Sequence, residues 1–160
     1  MLAQAYTFVV CFSYLIPYSS EYYMNQKPSL TISSLDAERI ENMIESMGGE
    51  GFPGKDALET ELARATIVEP QDMPANIVTM NSTVKFKEAH SDKEFSLTLV
   101  YPQATASAEN TISILAPIGA AIIGMKEGDQ IDWPKAGGGV ISVQIIQVLY
   151  QPEREGVFHR

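Results

Sequence analysis

A single cysteine, Cys11, occurs in 160 residues. No disulfide can therefore form within the chain, and a disulfide-stapled secreted scaffold is excluded. The two histidines, His90 and His159, leave too little for a zinc-type site. Basic residues are scarce: 11 Lys and Arg stand against 20 Asp and Glu, for a formal charge of −9. Gripping nucleic acid as a bulk polycation needs Lys and Arg in quantity, so that mode is excluded, and an anionic membrane surface is disfavoured for the same reason. No apolar run reaches the roughly 18 to 20 residues of a membrane-spanning helix. The G-x-x-x-x-G-K-[ST] and G-x-G-x-x-G phosphate loops are both missing. What is present is 45% hydrophobic and 19% charged residues. That supplies a core and excludes disorder throughout, at a length that fits one domain or a domain with a small appendage.

Residues 1–23 stand apart. They hold 16 hydrophobic residues, one charge (Glu21), five of the seven tyrosines and the cysteine. The run from Phe8 to Ile16 resembles a signal-peptide core. No Lys or Arg precedes it, no small-x-small cleavage site follows, and Pro17 interrupts it. The expectation is a start at Met24, with a weak anchor or signal, or unusual native sequence, as the alternatives.

From residue 24 to residue 72 the pattern predicts a helical hairpin. Ser33 and Ser34 suit an N-cap, and Asp36 stands three after Ser33, as in a capping box. Ile40, Met43, Ile44 and Met47 then keep the i, i+3, i+4, i+7 rule, which predicts a helix over 35–47. Gly48, Gly49, Gly51, Pro53 and Gly54 form a turn. Leu58, Leu62 and Ala65 predict a second helix over 56–69, ended by Pro70, and two helices so joined pack antiparallel. Ten acidic and three basic residues lie between 34 and 72. A solvated helix face explains them, as does an acidic prong aimed at a basic partner. Glu50 and Asp56, near the tip, form a weak candidate pair for Mg²⁺.

From residue 73 to residue 160 the expectation is an antiparallel sheet with one short helix, making the whole an α+β fold. Val78, Met80, Val84 and Phe86 alternate as one strand, and Phe95, Leu97 and Leu99 as a second across a turn at 90–93. Ile112 and Ile114 begin a third. Residues 117–124 read as a short helix with Pro at its start and Gly at its end. Ile131 and a half-buried Trp133 belong to a fourth strand, and Gly137 to Gly139 turn the chain. Ile141, Val143 and Ile145 alternate on one parity; Ile146, Val148 and Tyr150 continue on the other, which predicts a bulge. No histidine falls on a predicted core element where it could activate a serine.

Several blocks occur in a specific order: Leu35-Asp-Ala-Glu-Arg-Ile40, Pro74-x-x-x-Val78-Thr-Met-Asn-Ser82, Leu99-Val-Tyr-Pro102, Ala116-Pro-x-Gly-Ala-Ala121, Gly128-Asp129 and Tyr150-Gln-Pro-Glu153. The set resembles the Gre family of transcript-cleavage factors, and within it the branch of the regulator of nucleoside diphosphate kinase, over about residues 29–156. The resemblance implies a short coiled-coil hairpin on an FKBP-like C-terminal domain. It implies a bacterial, cytoplasmic, non-enzymatic regulator that binds the rim of the RNA polymerase secondary channel and competes there with Gre-type factors. Nucleoside diphosphate kinase would be affected indirectly, since neither a phosphate-accepting histidine nor a nucleotide pocket is found. The Gre docking segment maps onto Ala116, Pro117, Ile118 and Gly119, with Ala116 where many Gre factors have Ser. The Gre tip motif, Asp-Leu-Ser-Glu-Asn-Ala-Glu, is replaced by Gly48-Gly-Glu-Gly-Phe-Pro-Gly54, and a Gre coiled coil is more than twice as long. No cofactor, metal, membrane, small-molecule substrate or sequence-specific nucleic acid is implied. A peptidyl-prolyl isomerase is the alternative on an FKBP-like fold, and a small-molecule sensor is a third reading.

Overall fold

A computed structural model describes residues 27–48, 51–88, 93–105, 109–134 and 137–159. Residues 1–23, Glu50 and His90 lie outside these, and so do the expectations placed on them.

The chain enters through a three-residue strand, β1 (Thr31–Ser33), and turns into helix α1 (Ser34–Ser46). The cap is the one expected: the Ser33 hydroxyl accepts the Asp36 N–H at 3.0 Å. The carboxylate of Asp36 is committed elsewhere, accepting the N–H of Met80 at 3.1 Å, 44 residues away. Asp36 is therefore a tertiary link, not the return half of a capping box. Helix α2 (Lys55–Arg64) follows, with Asp56 in its first turn and Arg64 in its last, as the helix dipole favours. It ends earlier than the sequence pattern predicts. Thr66, Ile67 and Val68 form strand β2 (Thr66–Val68) and pair in parallel with β1. Three β-branched side chains in a row favour extended backbone over a last helical turn. The loop closed by α1 and α2 thus returns beside its own beginning.

The remaining strands are β3 (Thr83–Glu88), β4 (Glu94–Val100), β5 (Thr111–Ser113), β6 (Gln130–Pro134) and β7 (Val140–Tyr150), in the spatial order β5-β4-β3-β7-β6. Two corrections apply to the sequence reading. The first strand starts at Thr83 and not at Val78, because Asn81 has φ +61° and breaks the run. Val78 instead exchanges hydrogen bonds with the backbone of Gly124 and Met125. The sheet is also mixed, not antiparallel: β5 runs parallel to β4. A parallel neighbour needs a crossover between the end of β4 and the start of β5. The predicted bulge is present, since β3 skips Ile146 in its register with β7. A second irregularity, which parity does not reveal, skips Leu149.

Helix α3 (Pro117–Ile122) lies on the sheet, with Pro117 in its first turn and Gly124, at φ +75°, just after it. It touches β5, β6 and β7. That cover explains why Trp133 is fully buried, at 1% exposure, and not half-buried as its sequence position suggests. Among the described residues one hydrophobic core spans both halves. Ile40 and Ile44 of α1 and Leu58 and Leu62 of α2 belong to the same cluster as Phe86, Leu99, Trp133 and Ile145. Gly124 marks the seam between the halves: it accepts the Thr31 N–H at 3.0 Å, and a Cβ there would meet Cγ1 of Ile32 at 3.0 Å.

Candidate functional site

The four residues singled out by the sequence lie together at the start of α3. Ala116 is the N-cap, and Pro117, Ile118 and Gly119 open the helix. Ala116, Pro117 and Ile118 are half-buried, and Ile118 also packs against the core. Gly119 is buried where α3 crosses β5: a Cβ there would fall 2.0 Å from the Ser113 carbonyl oxygen. The segment therefore combines two half-open side chains with a glycine that lets the helix sit directly on the strand. The Leu115 N–H is held by the Ser113 hydroxyl at 3.1 Å, which steadies the approach to the helix.

The acidic character of the N-terminal part is only partly a surface property. Glu61 is fully buried on α2, paired with Lys27 and Arg64. Arg64 also donates to the Pro28 carbonyl at 2.7 Å, so this carboxylate anchors the incoming chain and is not available to a partner. Glu41, Glu45 and Glu59 remain exposed beside a shallow groove between α1 and α2 that reaches down to Ile44 and Leu62. No group of three or more metal-ligating side chains occurs among the described residues, and Asp56 is exposed.

A polar cluster that sequence spacing does not reveal joins the two halves. Asp36 is 2% exposed. Burial pushes its carboxyl up from the usual 3.8 to about 6; the Met80 N–H opposes the shift, and the nearby Glu153 adds to it. Thr79 donates its hydroxyl to Glu153 at 2.7 Å and meets the Ser82 hydroxyl at 2.8 Å. The Tyr101 hydroxyl is buried, with the Asp36 carboxylate and the Arg39 guanidinium as its neighbours. Its pKa is raised, first by burial and then by the charge of Asp36, with Arg39 acting the other way.

No helix among the described residues is long and apolar enough to cross a membrane. Residues 28–68 match the family model of the Rnk N-terminus, and residues 73–150 match that of the transcription elongation factor GreA/GreB C-terminal region. The regulator of nucleoside diphosphate kinase of Escherichia coli (strain K12) is 40% identical over 130 residues, covering 81% of this chain and 96% of that relative. The transcription elongation factor GreA of Helicobacter hepaticus is 33% identical over 90 residues, covering 56% of this chain and 55% of that factor. A solved structure from Nitrosomonas europaea, a prokaryotic transcription elongation factor GreA/GreB, shares 52% identity and a TM-score of 0.62. It covers 76% of this chain and 100% of its own. A Gre-like C-terminal region and an Rnk-type N-terminal region are thus joined in one chain along nearly the full length of a curated regulator, and the chain belongs to the family of the regulator of nucleoside diphosphate kinase.

Proposed function

We propose that the chain is a non-enzymatic, cytoplasmic transcription regulator that binds RNA polymerase at the rim of the secondary channel. There it competes with Gre-type factors and alters nucleoside diphosphate kinase levels indirectly. The match of residues 73–150 to the GreA/GreB C-terminal region is the observation that carries this reading. In Gre factors that region, an FKBP-like domain, is the part that docks. The N-terminal pair of helices acts as a short antiparallel prong. The lengths support a mouth-blocking role: 13 residues of α1 and ten of α2 rise about 20 Å and 15 Å. That is less than half the reach of a Gre coiled coil.

The direct test is retention of RNA polymerase by the immobilised chain, with and without a Gre factor. Retention that a Gre factor displaces is the expected result, and no retention at low salt overturns the reading. Pro117 and Ile118 form the centre of the docking surface. Pro117→Ala and Ile118→Ala therefore weaken retention several-fold, because an interface anchor is worth more than about 1 kcal/mol of binding. Pro117→Ala is the cleaner variant, since Ile118 also gives up some core packing. Normal binding by both folded variants would move the docking surface elsewhere.

Transcript cleavage in backtracked elongation complexes is expected to proceed no faster with the protein than without it. The prong is too short to bring a carboxylate to the catalytic metal. A rate gain that disappears with Asp56→Ala would show the length estimate to be wrong. The isomerase alternative receives no support: Phe86 and Trp133 are core residues.

A further inference from the structure

A groove of about 740 Å³ opens beside α1, between that helix, the turn at Asn81 and the segment that follows β4. Its size falls in the range of small-molecule sites. In a chain of charge −9 it is notable that no Asp or Glu is among the described residues lining it. The walls carry one guanidinium, Arg39, and three amides, Asn42, Asn81 and Gln103, with Met43 and the ring of Tyr101 as the apolar part. Arg39 spends one of its five N–H donors on the His159 carbonyl, at 3.1 Å. The Tyr101 hydroxyl contributes a buried polar atom beside Arg39, with the Asp36 carboxylate as its other neighbour.

These groups select a class of ligand. A guanidinium that lines a groove, with donors beyond the one given to the His159 carbonyl, matches a phosphate or carboxylate in fork geometry, although Arg39 also faces Asp36 and Tyr101. Side-chain amides present a donor and an acceptor together, which suits the edge of a nucleobase. Met43 and the Tyr101 ring suit a flat apolar body. A bare anion would leave most of the groove and all three amides unused.

We propose that this groove binds a nucleoside monophosphate, with Arg39 on the phosphate and Asn42, Asn81, Gln103 and the Tyr101 hydroxyl on the nucleoside. The proposal is independent of polymerase docking, and its test uses the isolated full chain, so failure of one leaves the other standing.

Calorimetric titration with AMP and CMP, and with adenosine and inorganic phosphate as partial ligands, provides the test. At least one monophosphate should saturate and raise the thermal midpoint, while adenosine and phosphate bind roughly tenfold more weakly or worse, because each lacks half of the contacts. Arg39→Gln should weaken the monophosphate roughly tenfold, the loss of a charge-assisted pair. Asn81→Gly keeps the φ of +61° that the turn requires and should weaken binding several-fold without unfolding the chain. Tyr101→Phe removes only the hydroxyl: it should lower affinity for the monophosphate several-fold, by more than any shift in the midpoint of the free protein accounts for. No saturable binding of either monophosphate overturns the proposal. Binding untouched by Arg39→Gln and Asn81→Gly places the ligand elsewhere and overturns it too, as does inorganic phosphate or adenosine binding as tightly as the monophosphates.

Discussion

Replacing Gly119 with alanine should destabilise the protein by about 3 kcal/mol or more and lower its thermal midpoint by roughly 10 °C. Helix propensity alone argues the opposite, because Gly→Ala inside a helix ordinarily gains about 1 kcal/mol. The local geometry decides the sign. A Cβ on Gly119 would lie 2.0 Å from the carbonyl oxygen of Ser113, 2.8 Å from its carbonyl carbon and 3.2 Å from Cα of Ile114. All three are backbone atoms of the adjoining strand segment, so no side chain can swing aside. Helix α3 must back away from β5 by about 1 Å, enough to forfeit a good part of each dispersion contact it makes. It buries Ala120, Ala121 and Ile122 against the core, and all three lose packing together. Gly51→Ala is the control: its Cβ would meet only Cδ of Lys55 at 3.7 Å, so its stability should stay within about 0.5 kcal/mol of the parent. Urea denaturation measures both, and an unchanged midpoint for Gly119→Ala would show that α3 slides freely on β5. The same retreat displaces Pro117 and Ile118, so polymerase retention should fall with stability in this variant, whereas in Pro117→Ala it falls alone.

The strongly periodic elements were legible from sequence because their signal is local. Ile40 and Ile44 are buried on α1 as their spacing requires, and the parity switch at Ile146 marks a real bulge. What could not be read depends on partners far along the chain. Strands β1 and β2 have three residues each, too few to show alternation, and each exists because the other lies beside it. The direction of β5 is a property of its connection to β4, not of Thr111 to Ser113 themselves. One local signal was available and outweighed: Thr66, Ile67 and Val68 favour a strand, but they follow Leu58, Leu62 and Ala65 so closely that the helical period ran over them. The candidate site divides in the same way. Ala116 to Gly119 are contiguous and were found as a motif. The polar groove draws on positions near 40, 81, 101 and 159, and no spacing rule connects those.

Asp36→Asn should make the protein more stable at neutral pH, and the gain should vanish in acid. Burial holds the folded-state carboxyl near 6, against an ordinary 3.8. Between those values the folded chain binds more protons than the unfolded one, so the unfolding free energy contributed by Asp36 falls as pH rises. The cost of keeping this carboxylate charged is absent below the lower value and complete above the higher. It amounts to about 3 kcal/mol at pH 7. The groups facing Asp36 set the balance. Glu153 repels it, and the Met80 N–H, the Ser33 hydroxyl and Arg39 stabilise its charge without offsetting burial. Asparagine keeps an acceptor for the Met80 N–H and removes the charge. Alanine offers Met80 nothing. Asp36→Ala should therefore lose about 1 to 3 kcal/mol in acid, where the parent carboxyl is protonated and still accepts. The chain has many other carboxylates, so the informative quantity is the difference between parent and Asp36→Asn, from urea unfolding at intervals between pH 4 and pH 7. That difference should grow steadily with pH in favour of asparagine. A flat difference, or a parent more stable at pH 7, would mean that solvent reaches the carboxylate. The contact between the first turn of α1 and Met80 would then be looser than the structure shows, and with it the seam that holds the N-terminal helices to the sheet.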